Sequence, residues 1–149
     1  MNVDKPEALR RSPLFEMLSP AELGVLGDLS RAMTFAPGDA LISEGEAGAS
    51  LYVLVTGEVD VVRTEGGQEK VLATLAAPAS LGEMSLIDRE VRSATIRART
   101  DCTALQLTAE NFASFRKRSR DGFTLFVINV ARVLSARLRE TNRKLASRL

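Results

Sequence analysis

The chain has 149 residues, 45% of them hydrophobic and 26% charged, which suffices for one globular domain with its own core. It contains no histidine and a single cysteine, Cys102. Structural zinc, iron–sulfur and His-ligated haem sites within one chain are thereby excluded, as are a disulfide framework and Ser-His-Asp or Cys-His catalysis. The net charge of +1 hides an asymmetry: residues 1–110 carry 10 basic and 17 acidic side chains, and residues 111–149 carry 10 basic and 2 acidic.

The basic C-terminal segment has the charge to draw an anionic partner such as nucleic acid or a membrane surface. A solvated helix face that complements the acidic body of the same protein is the simpler expectation. No apolar run approaches the roughly 20 residues of a membrane span. The N-terminus lacks the apolar segment of a signal peptide, so a cytoplasmic location is expected. Cys102 reads as a small buried hydrophobe near a strand.

In chain order the pattern is helix, short strands, helix. Ser19-Pro20-Ala21-Glu22 has the form of a capping box with proline at the first helical position, and Leu23, Leu26 and Leu29 follow at threes. From Ala32 to Leu107 short β-type segments alternate with turns. Pro37-Gly38 fits a type II turn, Leu51 to Val62 is interrupted by Gly57, and Gly66-Gly67 makes a hairpin turn before Val71–Leu75. Ala94, Ile96 and Ala98 alternate with Thr95, Arg97 and Arg99, as in a half-buried strand. Many short strands at this spacing predict a mainly β fold, an antiparallel roll or jelly roll with flanking helices. Thr108 is a candidate N-cap for a helix over 109–118, and Asp121-Gly122 opens a long helix towards the C-terminus. Within it Ala131, Leu138 and Leu145 fall seven apart, as do Val127, Leu134, Thr141 and Arg148. The two sets relate as a and d positions of a heptad, so residues 123–149 are expected to form a homodimer seam. One domain results: a helical lead over about 1–31, a roll over 32–107 and helices over 108–149.

The stretch that carries chemistry is Leu81-Gly82-Glu83-Met84-Ser85-Leu86, followed by Arg92-Ser93-Ala94-Thr95. Gly82 allows a tight turn at a strand end, and residues 83–87 are long enough for one helical turn, whose free N–H groups suit a phosphate. Arg92 adds a planar fork for phosphate oxygens, and Ser93 a hydroxyl beside it. Glu83 would repel that phosphate, so its carboxylate must meet a hydroxyl or an arginine. A nucleoside 3′,5′-cyclic monophosphate offers a phosphate and a neighbouring 2′-hydroxyl, which meets both demands.

These residues resemble the phosphate-binding cassette of the cyclic-nucleotide-binding domain family, to which catabolite activator proteins and protein kinase A regulatory subunits belong. Pro37-Gly38-Asp39, Glu44-Gly45, Leu51-Tyr52-Val53 and Gly57-Glu58-Val59 resemble the turns and strands of its β-roll, known as a double-stranded β-helix. Arg137-Leu138-Arg139-Glu140-Thr141-Asn142 resembles the C-terminal helix of its bacterial transcription-factor branch. The resemblance implies that Glu83 accepts from the ribose 2′-hydroxyl and Arg92 pairs with the cyclic phosphate. Gly82, Met84, Ser85, Ser93, Ala94 and Thr95 would complete the cradle. It further implies that Thr141 meets the base, Asn142 reaches the ligand of a facing subunit, and Val61, Leu72 and Leu75 form the apolar side of the base pocket. Four features depart from the family pattern: Arg89 for a glycine, Val91 for a proline, Pro78-Ala79 for a Gly-Asp turn, and Ala49 for an aspartate.

The implied function is a regulatory module that binds cyclic AMP, with cyclic GMP the other candidate, and signals through its C-terminal helix to an unknown protein effector. No further cofactor or metal is expected. No residues follow that helix to build a helix-turn-helix, so direct sequence-specific DNA binding is not expected, and the initiating Met fits a whole short protein. An enzyme is not expected, since neither a metal cluster nor a histidine base is available. The alternative is a degenerate dimerisation scaffold of the same fold, in which Glu83 and Arg92 pair with each other and bind no nucleotide.

Overall fold

The computed structural model describes residues 2–83, 86 and 91–148. Two short helices, α1 (Lys5–Arg10) and α2 (Pro20–Leu29), flank a 3₁₀ turn at Pro13–Phe15. Eight strands follow: β1 (Arg31–Phe35), β2 (Ala40–Ile42), β3 (Ser50–Thr56), β4 (Glu58–Glu65), β5 (Gln68–Ala76), β6 (Ala79–Leu81), β7 (Thr95–Ala98) and β8 (Cys102–Thr108). Helices α3 (Ala109–Arg118) and α4 (Arg120–Ala146) complete the chain. The strands form two antiparallel four-stranded sheets, ordered β1-β8-β3-β6 and β2-β7-β4-β5, the β-roll expected from the sequence.

Period-two alternation explains why the first sheet separates two cores. On β3, Leu51 and Val53 face the helices, while Tyr52 and Leu54 face the second sheet. On β8, Leu105 and Leu107 join the helical core, and Cys102 and Ala104 join the inter-sheet core. Both strands bury side chains on both sides, and β3 accordingly reads as a nearly continuous apolar run rather than as an alternation. Cys102 is buried as expected of a small hydrophobe.

The helix ends follow their local chemistry. Ser19 and Glu22 form the predicted reciprocal capping box, and Thr108 caps α3 in the same way with Asn111. The hairpin between β4 and β5 turns at Gly66 (φ 58°) and Gly67 (φ 79°), the positive pair a type I′ turn requires. Helix α4 begins at Arg120, one residue before the predicted opening. Gly122 lies inside it because the space is taken: a Cβ there would sit 2.6 Å from Glu22 Oε2 and 2.8 Å from Phe115 Cζ.

Among the described residues the buried side chains of α4 lie in its first half, up to Val130. Phe126 stacks on Phe112 at 4.6 Å and on Phe15 at 5.5 Å. The buried Asn129 amide donates to the carbonyls of Leu14 (3.1 Å) and Glu16 (2.8 Å), tying the N-terminal lead to the helix. From Ser135 to Arg148 every residue is exposed. The predicted seam residues Val127, Ala131, Leu138 and Leu145 are likewise exposed within this chain. No helix among the described residues is long and apolar enough to cross a membrane.

Candidate functional site

The cradle is assembled from three separate segments. Strand β6 ends at Leu81, and Gly82 takes φ 83°, in the left-handed region that favours glycine. It then delivers Glu83, which with Leu86 has helical backbone. Arg92 arrives across the turn between β2 and β3. Its N–H donates to Glu46 O (2.9 Å), and its carbonyl accepts from Gly45 N–H (2.8 Å). Arg92 is 7% exposed as a residue, and its guanidinium donates to two main-chain carbonyls, Gly82 O at 3.0 Å and Ser50 O at 2.7 Å.

Among the described residues no carboxylate pairs with Arg92. Burial pushes its pKa down from the ordinary value, and the nearby Tyr52 and Glu83 side chains push the other way. An arginine stays protonated under such shifts, so the site holds a buried cation whose hydrogen-bond partners among the described residues are two main-chain carbonyls. Among the described residues the guanidinium uses two of its five N–H groups, both on these carbonyls. The Glu83 carboxylate, with a side chain 6% exposed, is engaged elsewhere: Arg137 of α4 donates to it in an ion pair. Glu83 and Arg92 are therefore not the self-satisfied pair that the scaffold alternative assumed.

Arg92 and Glu83 both line a cleft of about 540 Å³, within the range of small-molecule sites. Gly82, Ser93 and Ala94 join them, Val61 and Leu75 supply apolar wall, and Arg137 stands at its α4 side. A guanidinium, a carboxylate and an apolar wall around one space suit a ligand with an anionic group, a hydroxyl and a flat apolar part. A second, more apolar groove of about 660 Å³ runs between α3 and α4, and Glu83 lines it as well.

Comparison with known proteins bears on the fold and family. A family model described as the cyclic nucleotide-binding domain matches residues 32–119. The chain belongs to the cyclic nucleotide-binding domain family. It is 34% identical over 138 residues to the cyclic AMP receptor protein of Thermus thermophilus, covering 92% of this chain and 62% of that one. The solved structure of the catabolite activator protein from that organism superposes with a TM-score of 0.78, at 34% identity over 91% of this chain and 62% of the other. A cAMP-dependent protein kinase regulatory subunit from Mycosarcoma maydis is 33% identical over 107 residues, 70% of this chain and 20% of its own length. The chain thus spans about three fifths of the bacterial relative and a fifth of the kinase subunit.

Within the domain, the predicted site residues divide into groups. Gly82, Glu83, Arg92, Ser93, Ala94, Val61 and Leu75 line one cleft. Met84, Ser85 and the departure at Arg89 lie outside the described residues. Thr95 is buried and does not line the cleft; its hydroxyl accepts from Glu44 N–H at 2.9 Å and pins the β2–β3 turn. Leu72 is 52% exposed and also outside the cleft. Val61 pairs with Ala73 and Val62 with Val71, so Leu72 is the extra residue of a β-bulge, out of register with the wall that holds Leu75. Thr141 and Asn142 are exposed and away from the cleft, the Thr141 hydroxyl donating to Arg137 O one turn earlier.

Two participants escaped the sequence argument. Ser50 acts through its carbonyl, which no side-chain motif reveals. Arg137 did carry a signal: it lies four residues before Thr141, on the same helix face, and a carboxylate next to an anion site demands a cation.

Proposed function

We propose that this domain binds cyclic AMP and reports its occupancy through α4, as a regulatory module without catalytic activity. The observation that carries the proposal is the buried Arg92, a cation without a carboxylate partner among the described residues, beside a cleft whose one buried carboxylate is held by α4. A buried charge lacking a counter-ion is costly, and a cyclic phosphate offers the missing anion. Its neighbouring 2′-hydroxyl would meet Glu83, the residue that Arg137 grips, so ligand and helix compete for one carboxylate. Differential contact of this kind shifts a conformational equilibrium. Relatives named for cyclic AMP favour that nucleotide over cyclic GMP. The absence of histidine from the chain argues against hydrolysis of the bound ester, and a cytoplasmic effector protein is the partner we assign.

A ligand that binds only the native state at a hundred times its Kd stabilises it by about 2.7 kcal/mol. The melting temperature is therefore expected to rise by about 5 °C or more with saturating cyclic AMP, and less with equimolar cyclic GMP. A melting curve unmoved by either nucleotide refutes the proposal.

We assign the exposed stripe on α4 to a homodimer. Leu138 is 62% and Leu145 is 55% exposed, large values for leucines at heptad spacing. Light scattering is expected to give twice the chain mass for the wild type and the chain mass for the double variant Leu138→Glu, Leu145→Glu. A dimer that survives both charges places the interface elsewhere.

A further inference from the structure

The turn before β3 contains a glycine whose backbone does not require one. Gly48 is not among the residues with positive φ, unlike Gly45 and Gly82. What excludes a side chain is Arg92: a Cβ at Gly48 would collide with Nε and lie 2.7 Å from Cζ and 2.8 Å from Nη2. On the other side, a Cβ at Gly82 would lie 2.7 Å from Nη1 of the same guanidinium. The arginine therefore lies in a slot between two glycines, from which it reaches Ser50 O and Gly82 O.

We propose that Gly48 is a positioning residue for Arg92, kept bare so that the guanidinium can lie flat against the β2–β3 turn and face the cleft. This rests on the assignment of Arg92 to an anionic ligand group. A methyl at residue 48 meets the flexible end of a side chain, so the guanidinium yields before the backbone does. Once shifted, it leaves the Ser50 and Gly82 carbonyls without their donor and presents its remaining N–H groups from another place. The cradle thus extends to a turn more than thirty residues before it.

The test is a double-mutant cycle of Gly48→Ala and Arg92→Ala in the full chain, read by thermal melting without ligand and by calorimetric titration with cyclic AMP. In the wild-type background Gly48→Ala is expected to lower the melting temperature by about 4 °C or more and to weaken cyclic AMP binding at least tenfold. In the Arg92→Ala background the slot is empty, and Gly48→Ala is expected to leave the melting temperature unlowered. A variant that fails to fold with Arg92 present, yet folds without it, supports the proposal equally. Equal losses in both backgrounds, failure to fold in both, or no loss in either overturn it. If the wild type binds no cyclic AMP, the ligand assignment falls while the ligand-free melting cycle still decides whether Gly48 positions Arg92.

Discussion

Arg92→Ala is expected to weaken cyclic AMP binding at least tenfold in titration calorimetry, a loss of about 1.4 kcal/mol or more. The guanidinium borders the cleft, and a charge-assisted hydrogen bond contributes about 1.5–3 kcal/mol. The surrounding carbonyls accept hydrogen bonds and cannot replace it toward an anion. Stability should change less than affinity. The substitution removes a buried cation that has no carboxylate partner among the described residues, which is favourable, and strips Ser50 O and Gly82 O of their donor, which is not. Arg92→Lys separates charge from geometry: a compact ammonium keeps the charge but loses the planar fork, so an intermediate affinity is expected. Unchanged affinity in Arg92→Ala would show that the anionic group is held by something other than this side chain.

Arg137→Ala is expected to lower stability by about 2 kcal/mol in urea denaturation. It leaves the Glu83 carboxylate, 6% exposed, without its cation. Breaking a buried pair costs about 3–5 kcal/mol, but the Arg137 side chain is 54% exposed, so water reaches the vacated side and reduces the loss. In a Glu83→Gln background no buried charge remains, and the same substitution is expected to cost less than about 1 kcal/mol. Equal costs in the two backgrounds would mean that Arg137 acts through packing and not through Glu83, and the link between cleft and helix would then have to be sought elsewhere.

Much of the molecule was legible before any coordinates. The capping box at Ser19 and the N-cap at Thr108 depend on side chains within three residues, so they form wherever the helix forms. The Gly66-Gly67 hairpin and the turn at Gly82 need positive φ, which glycine supplies without strain. The less legible features involve partners remote in the chain. The resemblance implied that Thr95 completes the cradle, yet its hydroxyl accepts from the backbone N–H of Glu44, 51 residues earlier. Leu72 and Leu75 looked equivalent until a bulge removed one from register.

Glu83 and Arg92 show where the division lies. The kind of ligand expected came from residue type: a carboxylate and a guanidinium near a glycine turn suit a molecule with a hydroxyl and an anionic group. Which partner each side chain takes without ligand did not follow, because that depends on which distant backbone and which distant helix arrive within a few ångströms. Folding sets Arg92 between Gly48 and Gly82, on two carbonyls, and brings Arg137 across 54 residues to Glu83. Local sequence carries turns, caps and charge types because they are decided within a few residues. The pairing of charges in the cleft was decided by tertiary packing, because only packing brings remote groups within reach and removes the water between them.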